Sequence, residues 1–181
     1  MKKSLIFSGA GGQGVVSAGM MTAKAAVEGG KFATFLPEYG PEQRGGSAKC
    51  TVVIDDTAVV SPLAKKCDVL VCMNEQSFSK FNDRLKEGGV LLLNSNRVTS
   101  KVERSDAEVI ALPVDDIALQ IGSPKTANIV IIGALIGATN IITEDEFLDS
   151  LRKKFASKAP AIMEMNAAAL KKGIEFGKKF A

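Results

Sequence analysis

Short apolar runs and longer stretches with helically spaced apolar positions alternate along most of the chain, with glycine or charged residues between them. Residues 4–8 read as a buried strand that runs straight into glycines. Residues 15–28, rich in Ala, Met and Val, read as a helix that stops at Gly29 and Gly30. Residues 32–36 form a second predicted strand. Residues 37–47, with two prolines, three glycines and several charges, read as a loop. Residues 49–54 alternate Lys/Thr with Cys/Val, a strand pattern joined by turns short enough for antiparallel pairing.

The continuous apolar run 69–73 has the pattern of a central parallel strand. A predicted helix over 75–87, with Asn74 as its cap, stops at Gly88 and Gly89. Strands follow at 90–93 and 109–112, separated by a polar surface stretch. The rest reads as helices: 115–121, a buried 128–137, one from Thr143 to about Ala156, and 160–178. Thr143 and Glu146 have the spacing of a capping box. The expected fold class is therefore α/β, a three-layer Rossmann-like arrangement: a mostly parallel, mixed sheet with helices on both faces. A chain of 181 residues suits one domain, 1–181.

Composition narrows the chemistry. Histidine is absent, which removes Ser-His-Asp and Cys-His catalysis and His-ligated metals. There is no Trp and one Tyr, too few rings for a single-stranded nucleic-acid platform. The net charge of +3 does not imply nucleic acid. The late basic residues Arg152, Lys153, Lys154, Lys158, Lys171, Lys172, Lys178 and Lys179 alternate with apolar positions and read as solvated helix faces. Cys50, Cys67 and Cys72 form no C-x-x-C pair. An iron–sulfur cluster needs more thiolates at closer spacing, so none is expected on this chain alone. Cys50 and Cys72 read as core, and Cys67, beside Lys65 and Lys66, as a packed or surface thiol. No signal core or membrane-length apolar run is visible, so the expected home is the cytoplasm.

Two segments could carry function. Gly9, Gly11 and Gly14 satisfy G-x-G-x-x-G between a strand and a helix. Such a turn lets backbone approach a ligand closely and aims free N–H groups at an anion. The preferred reading is an anion or partner contact; a bare tight turn and a dinucleotide site stay open. The dinucleotide reading lacks an acid at the tip of the second strand, because Glu38 falls late and after Pro37. The second segment runs from Pro37 to Ser47. Arg44, flanked by Gly45 and Gly46, offers a planar fork for phosphate or carboxylate. Both segments belong to the carboxyl edge of the predicted sheet, where α/β folds bind ligands. No residue stands out as a chemical catalyst.

Gly11-Gly12-Gln13-Gly14 after a first strand, with Tyr39-Gly40-Pro41-Glu42-Gln43-Arg44-Gly45-Gly46 some 25 residues on, resembles the gamma subunit of 2-oxoacid:ferredoxin oxidoreductases. The likeness continues through Asp55-Asp56, Pro62 and the stretch from Cys67 to Asn74, and it covers nearly the whole chain. The resemblance implies a subunit of an enzyme that oxidatively decarboxylates a 2-oxoacid to an acyl-CoA and passes electrons to ferredoxin. 2-Oxoglutarate is favoured over pyruvate and branched-chain acids. It implies that thiamine diphosphate, Mg and iron–sulfur clusters are held elsewhere, in alpha, beta or delta partner chains, and that coenzyme A is shared at the interface. The residues carried over are Gly11, Gly12, Gln13, Gly14 and Arg44 for the cofactor. Glu38, Tyr39, Gly40, Pro41, Glu42, Gln43, Gly45 and Gly46 are carried over for partner or substrate contact. Activity of the isolated chain is not expected, nor is binding to nucleic acid or membrane. A bare partner-facing surface would favour a homodimer in isolation. The rival reading is a stand-alone NAD(P)- or nucleotide-binding protein.

Overall fold

The computed structural model describes residues 2–40, 46–59 and 61–180. Its six-stranded sheet has the order β2-β3-β1-β4-β5-β6. The strands are β1 (Lys3–Ala10), β2 (Phe32–Tyr39), β3 (Ser47–Asp55), β4 (Cys67–Cys72), β5 (Leu85–Asn94) and β6 (Glu108–Leu112). β4, β5 and β6 continue parallel from β1, whereas β3 runs antiparallel to both β1 and β2. The mixed α/β sheet expected from the sequence is present.

The helices are α1 (Val15–Glu28), α2 (Glu75–Phe81), α3 (Val114–Ile121), α4 (Ala127–Thr139), α5 (Glu144–Phe155) and α6 (Pro160–Gly177). Alternate residues of β1 divide the interior into two cores. Leu5 and Phe7 join α1, α4, α5 and α6, while Ile6 joins α2 on the other face. Period-2 alternation makes this division automatic.

α4 is apolar on every side because it is covered by the sheet and by α6; Ile129 to Gly137 are all buried. The two helices touch at their backbones. A methyl group on Gly173 would collide with the Val130 carbonyl, and one on Gly133 with the Leu170 carbonyl. Caps appear where the sequence puts them. Asn74 Oδ1 accepts from the Ser77 N–H at 2.9 Å. Thr143 and Glu146 exchange side-chain and backbone hydrogen bonds as a complete capping box. The late basic residues are exposed. No helix among the described residues is long and apolar enough to cross a membrane.

Two expectations fail at strand ends. β2 does not stop at Leu36 but continues through Pro37 to Tyr39, with Glu38 opposite Lys49. A proline is tolerated there because β2 is an edge strand. The Gly40 N–H donates to the Ser47 carbonyl at 2.7 Å. The two ends of what reads as a loop, residues 37–39 and Ser47, thus belong to paired strands. Likewise, the helix expected to reach 87 ends at Phe81, followed by a single 3-10 turn. Leu85 opens β5 opposite Cys67, and the register then shifts before Val69 pairs with Val90. Gly88 and Gly89 lie in this bulge rather than at a helix stop. Gly88 has φ +70°, and a side chain on Gly89 would press on the Asp68 carbonyl at 2.9 Å.

Candidate functional site

The glycine loop forms because β1 must turn into α1 within four residues. Gly12 (φ +94°) and Gly14 (φ +74°) adopt backbone that other residues rarely take. Gly9 is fixed by space: a side chain there would meet Gln13 Oε1 at 2.7 Å and Val15 at 2.8 Å. Much of the loop's polarity is satisfied within the protein. The Gly11 N–H donates to the Gly46 carbonyl at 2.8 Å, and the Gln13 N–H to Ala10 at 3.1 Å. Gln13 Oε1 accepts from Ala10 N–H at 2.7 Å, and its Nε2 donates to the Met73 carbonyl at 3.1 Å. Gln13 is therefore a brace between the ends of β1 and β4. Among the described residues, the N–H groups of Gly12 and Gly14 find no protein acceptor.

Beside the loop is a cleft of about 370 Å³, lined by Gly12, Gln13, Gly14, Met73, Arg97, Asp115, Leu119, Lys125 and Asn128 among others. It lies at the carboxyl ends of β1 and β4, between the starts of α1 and α4. Asn128 packs against Gly14 closely enough that a side chain on Gly14 would touch it at 3.0 Å. Asp115 accepts hydrogen bonds from Asn94 Nδ2 (3.0 Å) and from Arg97. Arg97 is thus ion-paired to Asp115 within the cleft, and Lys125, which also lines it, is exposed. The glycine loop, Arg97 with its partner Asp115, Lys125 and Asn128 thus share one cleft.

Of the partner-segment residues, Glu38, Tyr39, Gly40 and Gly46 are described. Gly46 binds Gly11 directly, and Glu38, Tyr39 and Gly40 line a separate groove on the α2 side. Glu38 is engaged by Lys49 at 2.6 Å, and Tyr39 is 71% exposed. Pro41, Glu42, Gln43, Arg44 and Gly45 lie outside the described residues. Sequence reasoning missed Arg97, Asp115, Lys125 and Asn128. They lie 83 or more positions after the glycine loop, in segments with no motif of their own.

The three thiols have no part in this edge. Burial pushes each of Cys50, Cys67 and Cys72 up to about 12. Cys50 belongs to the core beneath α1, and Cys67 and Cys72 to the core beneath α2. With the sheet between them they cannot gather around one metal cluster. Among the described residues no group of three His, Cys, Asp or Glu side chains could hold a metal ion.

Residues 4–176 match the family model of pyruvate ferredoxin/flavodoxin oxidoreductase. The chain belongs to that family. It is 38% identical over 183 residues to the 2-oxoglutarate synthase subunit KorC of Methanocaldococcus jannaschii, covering 99% of this chain and 96% of that subunit. Among solved structures it is similar to the gamma subunit of a keto/oxoacid ferredoxin oxidoreductase from Geobacter sulfurreducens. That similarity has TM-score 0.86 and 32% identity, over 99% of this chain and 98% of that one. The fold recurs as 32% of a chain of the 2-oxoglutarate:ferredoxin oxidoreductase of Magnetococcus marinus, with TM-score 0.91, 22% identity and 99% of this chain covered. That enzyme's structure holds 2-oxoglutarate, coenzyme A and succinyl-CoA; at this identity the likeness speaks for the fold. The resemblance carried by the glycine loop and the segment at 39–46 is borne out. Within an oxidoreductase family module the rival dinucleotide reading loses its footing: Glu38 is taken by Lys49, and β3 separates β2 from β1.

Proposed function

We propose that this chain is the single-domain gamma subunit of a cytoplasmic 2-oxoacid:ferredoxin oxidoreductase whose oxoacid is 2-oxoglutarate. The observation that carries the proposal is the end-to-end match to a separately encoded 2-oxoglutarate synthase subunit of the same length class. The partners are alpha and beta chains, with a delta chain as a further candidate, and ferredoxin is reached through the complex. The iron–sulfur clusters belong to those partners, since the three thiols here lie in two separate cores, and thiamine diphosphate and Mg are assigned to the same partners on the family resemblance.

The chain's own contribution is assembly and one side of the coenzyme A site. The residues of the glycine-loop cleft fit the phosphates of that cofactor: Gly12 and Gly14 supply N–H groups, Arg97 and Lys125 supply charge. Gly11 and Gln13 set the loop's shape through their internal hydrogen bonds. Arg44 is assigned to the same cofactor or to a partner carboxylate. Glu38, Tyr39, Gly40, Pro41, Glu42, Gln43, Gly45 and Gly46 are assigned to the partner-facing rim. Coenzyme A, when bound, supplies the thiol that accepts the acyl group.

The test is anaerobic co-expression of this chain with its candidate partners, followed by coenzyme A-dependent reduction of ferredoxin. The expected result is fastest turnover with 2-oxoglutarate, and loss of activity when this chain is omitted. A fully active complex lacking this chain, or preference for another oxoacid, would overturn the corresponding half of the proposal.

A further inference from the structure

On the α2 side of the sheet, away from the glycine-loop cleft, three cations converge on one ring. Lys49 Nζ lies 5.4 Å from the centroid of Phe81, Lys80 Nζ 5.5 Å and the Arg84 guanidinium carbon 5.8 Å. The ring itself is 6% exposed. The fold forces this meeting. Cys50 is buried beneath α1, so Lys49, its neighbour on β3, must face the other way. Lys80 and Arg84 are four residues apart, where α2 passes into its terminal 3-10 turn.

A single cation would suffice to cover the ring. Every pair of the three lies within roughly 11 Å, about one Debye length at 0.1 M salt, so their repulsion is only partly screened. One carboxylate offsets them: Glu38 pairs with Lys49 at 2.6 Å, and the Lys49 side chain is only 11% exposed. Among the described residues no carboxylate lies within ion-pair distance of Lys80 or Arg84. The cluster walls a groove of about 450 Å³ that Gln76, Ser47 and the exposed Tyr39 complete. That volume is in the range of small-ligand sites.

We propose that the Lys49–Lys80–Arg84 groove binds a phosphate group of a small-molecule ligand. Arg84 brings a planar fork, and Lys80 and Lys49 bring point charges, to one spot from two sides of the groove. A compact, multiply charged anion matches convergent charges, whereas an acidic protein segment would call for a stripe of them. Tyr39 at the rim presents a flat ring to whatever organic group the phosphate carries. The source is either a free phosphorylated metabolite or the phosphate-bearing part of coenzyme A. The assignment does not rest on the proposed role of the glycine loop.

Calorimetric titration of the full chain with inorganic pyrophosphate tests this. The unmodified chain should bind at millimolar concentration or better. Lys80→Gln/Arg84→Gln should weaken binding by about tenfold or more, as expected when charge-assisted hydrogen bonds are lost. Lys49→Gln should weaken it too, and Lys171→Gln, on the exposed face of α6 and in neither cleft, should leave it unchanged. Far-ultraviolet circular dichroism checks that each variant is folded. If coenzyme A then displaces pyrophosphate, the coenzyme is the source. If it does not, a separate phosphorylated metabolite is. Absence of pyrophosphate binding, or equal binding by the double variant, overturns the proposal. So does selective capture of an oligoglutamate peptide by the same residues, which would assign the groove to an acidic partner chain.

Discussion

Gln13 donates from Nε2 to the carbonyl of Met73 at 3.1 Å, tying the glycine loop to the end of the neighbouring parallel strand. The same side chain accepts from the Ala10 N–H at 2.7 Å. One amide thus braces the loop that carries Gly12 and Gly14 across the β1–β4 boundary. Gln13→Ala should cost about 1–2 kcal/mol, since it leaves part-buried backbone groups without partners. Chemical denaturation measures that loss. Gln13→Glu should not restore the wild-type stability, because a carboxylate cannot donate to Met73.

The backbone contact between α4 and α6 depends on Gly133, Gly137, Gly173 and Gly177, each without room for a methyl group. Gly173→Ala should destabilise by about 1–3 kcal/mol through overpacking, despite alanine's higher helix propensity. Thermal melting should show a lower Tm for this variant. A neutral or stabilising result would mean that the helices separate without cost.

Asp68 accepts from the Ser4 N–H at 2.7 Å, from the Ser4 hydroxyl at 2.8 Å and from Lys86 Nζ at 2.9 Å. Burial works against its ionisation, but the hydrogen bonds from Lys86 and Ser4 outweigh burial and hold the carboxyl below the usual carboxylate range. A carboxyl depressed in the folded state adds stability above its unfolded pKa of about 4, and that stability is lost as pH falls through the folded value. Asp68→Asn should therefore lower stability at pH 7 and flatten its decline in acid. Denaturation midpoints measured between neutral and acidic pH provide the check.

The three buried thiols should be inert in the folded protein. With burial raising each to about 12, the thiolate fraction at neutral pH is negligible. A thiol-specific reagent should label Cys50, Cys67 and Cys72 only after denaturant is added. Rapid labelling of any one of them under native conditions would contradict its placement in the core.

Arg97 and Lys125 flank the glycine-loop cleft. In the assembled enzyme, Arg97→Gln should raise the KM for coenzyme A several-fold with a smaller effect on kcat, the pattern expected when binding common to ground and transition states is removed. An unchanged KM would remove Arg97 from the cofactor site.

What the sequence determined by itself was local. Continuous apolar runs marked β1, which leads into glycines, and β4. Helical spacing marked α1 and α6, and Asn74 and the Thr143/Glu146 pair marked helix starts. These features follow from backbone sterics, period and capping within a few residues, and the two motifs at 11–14 and 39–46 were enough to recognise the family. Tertiary structure decided the rest. It inserted β3 antiparallel between β1 and β2, carried β2 past Pro37, and turned Gly88 and Gly89 into a strand bulge. It also brought Arg97 and Lys125 to the glycine loop, and Lys49 to Lys80 and Arg84. Strand order and register are fixed by which faces can be buried together across the whole chain. No local pattern contains that information, so neither charged cluster is legible until the sheet is assembled.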